Sequence, residues 1–346
     1  MTARKLRWGI VGTGRIARTL AEALARSKTS ELVAVGSRTE AAARAFAREY
    51  AAPRAHESYE ALFADPEVDV VYIATPHPSH AHWSLRAARA KKHILCEKPL
   101  GMNLTEVTEI IDAARVNGVF LMEAFMYRAA PQTKKLVELI SSGAIGRVHA
   151  LEASFGFDGD FPLSSRLLDN QLGGGGILDV GCYPVSIARL LAGAATGAPF
   201  LDPESVFGLG HVGERSHVDE YAIAILKFPG EIVASLATSI QLKRHNVVRV
   251  FGRTGSILVE DPFLPARDGG STEIVIERPN RPNEVIRVDA PDSLYVYEVD
   301  AVAAQIERGE AREMSHADSL GNARALDQWR KAVGVSYLAD RNTRVE

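Results

Sequence analysis

Cysteine is nearly missing from this 346-residue chain: Cys96 and Cys182 are the only two, and they do not form a spaced pair. That excludes a disulfide framework. Both read as buried free thiols in a reducing compartment, with a disulfide between them the less favoured alternative. An excess of charge of one sign is missing too. Forty basic residues face 43 acidic ones, a formal charge of −3 with no basic tail or stripe, so neither nucleic acid nor an anionic membrane is an expected partner. No apolar run approaches the ~18 residues that would span a bilayer. The opening Thr2-Ala3-Arg4-Lys5-Leu6-Arg7 lacks the apolar core of about 7–15 residues and the cleavage site of a signal peptide, so a cytoplasmic location is expected. Beyond the His77 and His80 cluster, the remaining histidines show no ligand spacing beside a second cysteine or a carboxylate pair, so no metal is expected. Repeats and low-complexity tracts are likewise absent.

The composition that remains, 46% hydrophobic and 24% charged, is that of an ordinary globular protein, and 346 residues are enough for two domains. Up to residue 123, short apolar runs alternate with helical stretches: strands at 8–11, 32–35, 68–74, 93–96 and 119–122, helices at 15–26, 40–50, 79–90 and 104–117. Continuous apolar strands separated by helices predict a parallel sheet covered on both faces, hence an α/β, doubly wound domain over 1–123. The rhythm then changes. Longer strands at 148–157, 220–228, 232–240, 247–251 and 256–259 predict an α+β domain over 124–346 with a large, mostly antiparallel open sheet. Within it helices are predicted at 131–142 and 177–191, hairpins and surface loops at 262–291, and two late helices at 295–308 and 315–338 that pack back on the body.

Gly12-Thr13-Gly14-Arg15-Ile16-Ala17 follows a predicted strand and opens a predicted helix. In that context Gly12 permits a tight turn, Gly14 lets the backbone approach a pyrophosphate, and the helix N-terminus supplies free N–H groups and partial positive charge. The second strand ends in Gly36-Ser37-Arg38-Thr39, with no acidic residue for a ribose 2′-hydroxyl. Ser37 and Arg38 suit a 2′-phosphate instead, so NADP is expected over NAD. Thr75-Pro76-His77-Pro78-Ser79-His80 follows the third strand, at the end where such sheets bind ligands. Thr75, Pro76 and His80 are candidate cofactor contacts, although ordinary turn chemistry accounts for the prolines equally well.

Glu97-Lys98-Pro99 closes a later strand, about 85 residues after the glycine turn. There the Lys98 ammonium can hydrogen-bond a ribose or substrate oxygen and lower the pKa of a neighbouring acid. Asp179 and Tyr183 are spaced i and i+4 on the helix predicted from 177 and share a face that presents a carboxylate and a phenol to one substrate. With a free pKa of about 10, Tyr183 needs a cation nearby to serve as a base. A packed core tyrosine fits that stretch equally well. The run Gly173-Gly174-Gly175-Gly176 just before it is either a flexible loop or a close backbone approach to a ligand. Glu123-Ala124-Phe125-Met126-Tyr127-Arg128 bridges the two predicted domains, which makes Arg128 a candidate substrate ligand and, equally, part of a packing segment.

With these motifs in this order the chain resembles the glucose-fructose oxidoreductase/inositol dehydrogenase (Gfo/Idh/MocA) family over almost its full length. The residues that carry the resemblance are Gly12 to Ala17, Ala74-Thr75-Pro76, Glu97-Lys98-Pro99-Leu100 and Gly174 to Tyr183. Tyrosine at 183, where inositol-type relatives often have histidine, is similar to the branch holding dimeric dihydrodiol dehydrogenases and NADP-dependent D-xylose dehydrogenases. The resemblance implies Lys98 and Tyr183 as the catalytic pair, Asp179 orienting substrate, Glu97 and Lys98 beside the cofactor, and dimers or tetramers built on the open face of the second-domain sheet. It implies NADP-dependent oxidation of a cyclic polyol, foremost C1 of an aldopyranose such as D-xylose to a lactone. The alternatives are a trans-dihydrodiol dehydrogenase and a cofactor-binding regulator without catalysis, and retention of both Lys98 and Tyr183 argues against the regulator.

Overall fold

The computed structural model describes residues 4–340, so Thr2 and Ala3 of the N-terminal stretch lie outside it. The chain divides into two compact units. The first gathers Met1–Gly101, Thr105–Ala129 and Asp292–Ser319, and the second Met102–Leu104, Ala130–Pro291 and Leu320–Glu346.

The first unit alternates β1 (Leu6–Val11), α1 (Arg15–Arg26), β2 (Ser30–Gly36), α2 (Glu40–Glu49), β3 (Arg54–His56), α3 (Tyr59–Ala64), β4 (Val70–Ile73), α4 (His80–Arg89), β5 (His93–Glu97), α5 (Leu104–Asn117) and β6 (Leu121–Ala124). All neighbouring strands pair in parallel, in the order β3-β2-β1-β4-β5-β6. This is the doubly wound arrangement expected, and its central strands read as continuous apolar runs because helices cover both faces. Strand order reverses between β1 and β4, so their carboxyl ends form the switch point where such sheets bind ligands.

This unit extends past the expected border at 123 to Ala129, and it takes Asp292–Ser319 from the block expected as one C-terminal domain. Side chains account for both differences. Arg128 is buried in an ion pair with Asp318, and its Nε donates to Glu313 O at 2.9 Å. Asp300, on α8 (Leu294–Gln305), accepts from Ser27 Oγ at 2.9 Å and Thr29 Oγ1 at 2.5 Å just beyond α1.

The second unit holds α6 (Pro131–Ser141), β7 (Val148–Gly156), α7 (Cys182–Thr196), β8 (Ser205–Val212), β9 (Asp219–Phe228), β10 (Ile232–Ser239), β11 (Val247–Gly252), β12 (Gly255–Glu260), β13 (Gly270–Glu277) and β14 (Glu284–Ala290), with most of α9 (His316–Val333). Its eight strands run β14-β13-β12-β11-β7-β10-β9-β8, antiparallel except for β7 with β10. The expected strands are present, and β8 is an addition. Ser-Val-Phe-Gly-Leu-Gly-His-Val reads poorly as a strand because glycine is depleted there. The glycine face lies against α9: a Cβ on Gly208 would come within 2.7 Å of Trp329, whose indole N–H donates to Ile223 O at 3.1 Å. The opposite face of β8 and β9 is apolar and open. Register sets Leu209 beside Ile223 and Phe207 beside Ile225, with Phe207 67% and Leu209 74% exposed.

One helical stretch, Asn170–Thr196, does reach membrane-spanning length and apolarity, which amends the reading from sequence; 94% of its apolar window is buried in protein, as in a core helix. Cys96 and Cys182 are buried and form no disulfide, and burial pushes the Cys96 thiol far above its usual range.

Candidate active site

In the first unit, three strand ends meet at the switch point. Gly12 N donates to Gly36 O at 3.0 Å and Ala74 N to Val11 O at 3.1 Å, which joins the ends of β1, β2 and β4. Gly12 has φ +102°, and a Cβ there would sit 3.2 Å from Ala74 O, so the turn requires glycine. Gly14 differs. Its backbone is extended, it caps α1 with no side-chain hydrogen bond, and nothing lies within 4 Å of where its Cβ would be. Exposed Gly14 and Arg15, half-buried Thr13 and Ile16, and an α1 first turn without an acidic residue leave an open, partially positive helix N-terminus.

Two further features fit a dinucleotide. Thr75 Oγ1 is buried with no hydrogen-bond partner, an unmet polar group at the switch point. Arg38 is exposed at the end of β2 beside buried Ser37, with no carboxylate in the Gly36-Ser37-Arg38-Thr39 turn. These residues would hold the pyrophosphate on Gly12 to Ile16 and the adenosine ribose on Ser37 and Arg38.

The Glu97-Lys98-Pro99 turn ends β5, with a cis Lys98–Pro99 peptide and half-buried Lys98. Glu97, expected at the cofactor, accepts a hydrogen bond from the Tyr72 hydroxyl. Burial, then the Glu97 charge, pushes the Tyr72 phenol well above its usual range, so it stays a donor. His80, also expected at the cofactor, is fully buried instead. Its Nδ1 lies 2.8 Å from Pro99 O and its Nε2 2.8 Å from Thr75 O, so the ring ties the loop after β4 to the Lys98 turn. The sequence marked His80 as near the cofactor but held no sign that both ring nitrogens are spent on backbone. Arg128, a candidate substrate ligand, is the buried partner of Asp318 described above, a placement that answers to packing of the first unit.

In the second unit Tyr183 is the second residue of α7 and is 5% exposed. Its ring meets Phe155 at 5.2 Å and 71°, and Phe263 at 5.5 Å and 57°, while those two phenyl rings stack at 5.0 Å. The three rings hold the phenol in one orientation. The helix expected from 177 begins instead as a π-turn, Ile177–Gly181, that carries Asp179. Such wide single turns recur at functional sites. Asp179 pairs with Arg166 Nη2 at 3.0 Å, an arginine about half exposed.

The glycine run before this turn is tightly held. A Cβ on Gly174 would lie 2.5 Å from Leu167 O, one on Gly175 (φ +104°) would overlap Asp219, and one on Gly176 would press on Asp219 and Thr238. Tyr337 Oη donates to Gly174 O at 2.5 Å, Thr238 Oγ1 donates to Gly176 O at 3.1 Å, and Ile177 N donates to Asp219 Oδ2 at 2.6 Å. Of the two readings left open for this run, flexible loop or ligand approach, the packing sets aside the first: the glycines let the chain fit against itself. Asp219, Phe155, Phe263 and Arg166 carry no motif and were invisible to pattern reading. Among the described residues no three His, Cys, Asp or Glu side chains are grouped to hold a metal ion.

Comparison with known proteins places the chain among oxidoreductases. Residues 6–125 match the model of an oxidoreductase family with an NAD-binding Rossmann fold, and residues 133–258 match the GFO/IDH/MocA C-terminal domain. A trans-1,2-dihydrobenzene-1,2-diol dehydrogenase of Mus musculus is 36% identical over 345 residues, covering 97% of this chain and 99% of that protein. An uncharacterised oxidoreductase of Rhizobium meliloti is 34% identical over 327 residues, covering 93% and 95%. Among solved structures, the 3-ketoreductase KijD10 of Actinomadura kijaniata, crystallised with NADP and TDP-benzene, superposes with a TM-score of 0.85 at 28% identity, covering 95% of this chain and 98% of that one.

Proposed function

The chain belongs to the Gfo/Idh/MocA oxidoreductase family, and from that premise we propose that it is an NADP-dependent dehydrogenase acting on a secondary hydroxyl of a six-membered ring, foremost an aldopyranose oxidised at C1 to a lactone. The observation that carries the reading is Tyr183, a phenol held by two phenyl rings two residues after a π-turn that presents Asp179. The aromatic surface suits the C–H face of a ring substrate, while Asp179 and the phenol supply polar contacts for its hydroxyls.

The nicotinamide, when bound, supplies the two-electron acceptor for the hydrogen on the reacting carbon. The chain's residues do the rest. Tyr183, as the phenolate that Lys98 favours, takes the hydroxyl proton and becomes the neutral phenol. Asp179, already ionically paired to Arg166, accepts a neighbouring substrate hydroxyl and sets which carbon faces the cofactor. Gly12 to Ile16 and Thr75 bind the pyrophosphate, and Arg38 the 2′-phosphate.

A trans-dihydrodiol is the second substrate reading, favoured by the 36% identity to the mouse enzyme. It uses the same residues, with a catechol as the final product. The test is NADP reduction followed against a panel of aldopyranoses, inositols and trans-1,2-dihydrodiols. Turnover with D-xylose or a related pyranose supports the first reading and turnover with the diols alone supports the second. NADP binding without reduction by any of them leaves the regulator and overturns both.

A homodimer or tetramer is part of the same proposal, and a cytoplasmic setting goes with it. The open face of β8 and β9 sets Phe207, Leu209, Ile223 and Ile225 side by side, an apolar surface of the kind that monomers cover. Sedimentation at micromolar concentration should show a species of at least twice 37.5 kDa, and Leu209→Lys should halve it.

A further inference from the structure

We propose that Asp219, which touches no reacting atom, is the positioning residue for the Tyr183 turn: its carboxylate anchors the Gly176–Ile177 backbone and so fixes the geometry in which Asp179 and Tyr183 meet substrate. This rests on the function proposed above and names a residue of the second unit outside every motif read from the sequence.

The geometry is specific. Asp219 opens β9, is fully buried, and accepts Ile177 N–H on Oδ2 at 2.6 Å with the Gly176 N–H also directed at the carboxylate. These N–H groups begin the π-turn that runs directly into α7, where backbone donors have no partner within the helix and a negative charge is favoured. Shape agrees with charge: any side chain on Gly175 would overlap Oδ1. Thr238 on β10 and Tyr337 beyond α9 hold the carbonyls of Gly176 and Gly174. The loop is therefore clamped from three directions, and Asp219 is the only ionisable carboxylate in the clamp. Asp179 lies two residues beyond the anchored Ile177 and Tyr183 six, so a shift of the anchor moves both.

Asp219 is also poised to change charge near neutrality. Oδ1 is buried and accepts no hydrogen bond, so the ionised form is poorly solvated. Burial pushes the carboxyl up to about 7, opposed by the Ile177 and Gly176 N–H groups and by Arg330. The groups acting on it are Arg330 on α9, itself paired with Asp327 and Asp340, and the Tyr337 phenol, raised well above its usual range mainly by burial; Asp340 and Asp179 in turn act on that phenol. Of the carboxylates among them, Asp340 is held below the ordinary range despite desolvation by its hydrogen bonds and by Arg330. Because the folded value lies above the unfolded 3.8, the stabilising contribution is fully present below about pH 4 and is lost as pH rises through about 7. The ionised anchor thus costs stability while it strengthens the bonds that hold the catalytic turn, a trade seen at many active sites.

The experiment compares kcat against pH for the full-length protein, Asp219→Asn and Asp219→Ala, with Tyr183→Phe as control and NADP affinity measured in each. Asparagine keeps an acceptor for Ile177 N–H without titrating. Its plateau kcat should fall less than about tenfold, and the inflection near pH 7 should vanish. Asp219→Ala should lose roughly 10–100-fold in kcat, with NADP affinity within about twofold of the parent. In melting experiments Asp219→Asn should gain on the parent as pH rises from about 5 to about 9, a readout that needs no turnover. An inflection retained in Asp219→Asn, a parental kcat in Asp219→Ala, or a pH-independent melting difference overturns the proposal. If Asp219→Ala does not fold, the asparagine profile decides. Parental turnover in Tyr183→Phe overturns the function itself and is distinguishable from all of these.

Discussion

Two glycine runs flank the chemistry of this chain, and they solve opposite problems. In the first unit Gly14 faces empty space: its backbone is extended, no atom lies within 4 Å of a would-be Cβ, and the helix end behind it is uncapped by any side chain. In the second unit Gly174 and Gly175 face Leu167 O and Asp219 at distances that leave no room for a side chain, and Gly176 packs closely on Asp219 and Thr238. One run keeps the chain out of the way of something that arrives from outside. The other lets a loop press against its own scaffold, so that the next turn presents Asp179 and Tyr183 rigidly. A glycine run is thus not in itself a sign of flexibility or of ligand approach, and its neighbours decide which physical use it has.

The sharpest way to break this contrast is to remove the chemistry that the second run supports. Tyr183→Phe should lower kcat by roughly 10²–10⁴ and leave NADP affinity nearly unchanged. Lys98→Met should cost a similar factor and raise the apparent pKa of the activity that remains. If the lysine acts by keeping the phenol competent, the double variant should be scarcely worse than either single one. Steady-state kinetics and cofactor titration together read the result. Near-normal turnover in Tyr183→Phe would make Tyr183 a packing residue between Phe155 and Phe263.

Next in size is the loop itself. Gly175→Ala adds a methyl that overlaps Asp219 at a backbone φ of +104°, so overpacking and strain combine to destabilise by about 2–4 kcal/mol. Denaturant unfolding should show the loss, and kcat should fall with it because the anchor of the catalytic turn is displaced. A variant as stable as its parent would mean the loop yields easily, and the clamp would lose its meaning.

The same contrast explains how much the sequence disclosed. The first unit was legible because parallel strands buried on both faces must be continuously apolar, and because the glycine turn derives its meaning from the strand before it and the helix after it. What escaped were the short β3 and α3, where three and six residues give periodicity little to act on. In the second unit the long alternating strands were visible, but β8 hid behind its glycines, and the π-turn differs from an α-helix only in which carbonyl each N–H meets. The contacts that fix the site, such as Asp219 with Ile177 or Phe263 with Tyr183, join residues 42 or 80 positions apart, and no local pattern encodes them. His80 and Arg128 show the converse. Residue type and position nominated them for ligands, and nothing in the sequence announced the backbone partners of His80 or the Asp318 partner of Arg128.

Cofactor choice tests the open side of the contrast at smaller cost. Arg38 is exposed at the end of β2, where a guanidinium can hold a phosphate by charge-assisted hydrogen bonds of about 1.5–3 kcal/mol. Arg38→Ala should therefore weaken NADP roughly 10–100-fold and NAD little, as read by fluorescence titration of both. Equal losses for the two would remove Arg38 from the 2′-phosphate.

The smallest effect is the most discriminating, because it sets the two runs against each other with one methyl group. At Gly14 the backbone has φ −74° and ψ −178°, a conformation that alanine adopts without strain, and the added Cβ meets nothing. Removing a glycine there also lowers the entropy of the unfolded chain, so Gly14→Ala should be neutral or stabilising by up to about 1 kcal/mol. Its penalty should appear only when a ligand backs onto the helix end, as a loss of about tenfold or more in NADP affinity, equivalent to roughly 1.4 kcal/mol. Melting curves with and without NADP separate the two effects: the apo curve should not fall, and the shift produced by NADP should shrink. If the apo protein instead melts well below its parent, Gly14 is packed against its own chain as Gly175 is, and the space beside it is not kept for a pyrophosphate.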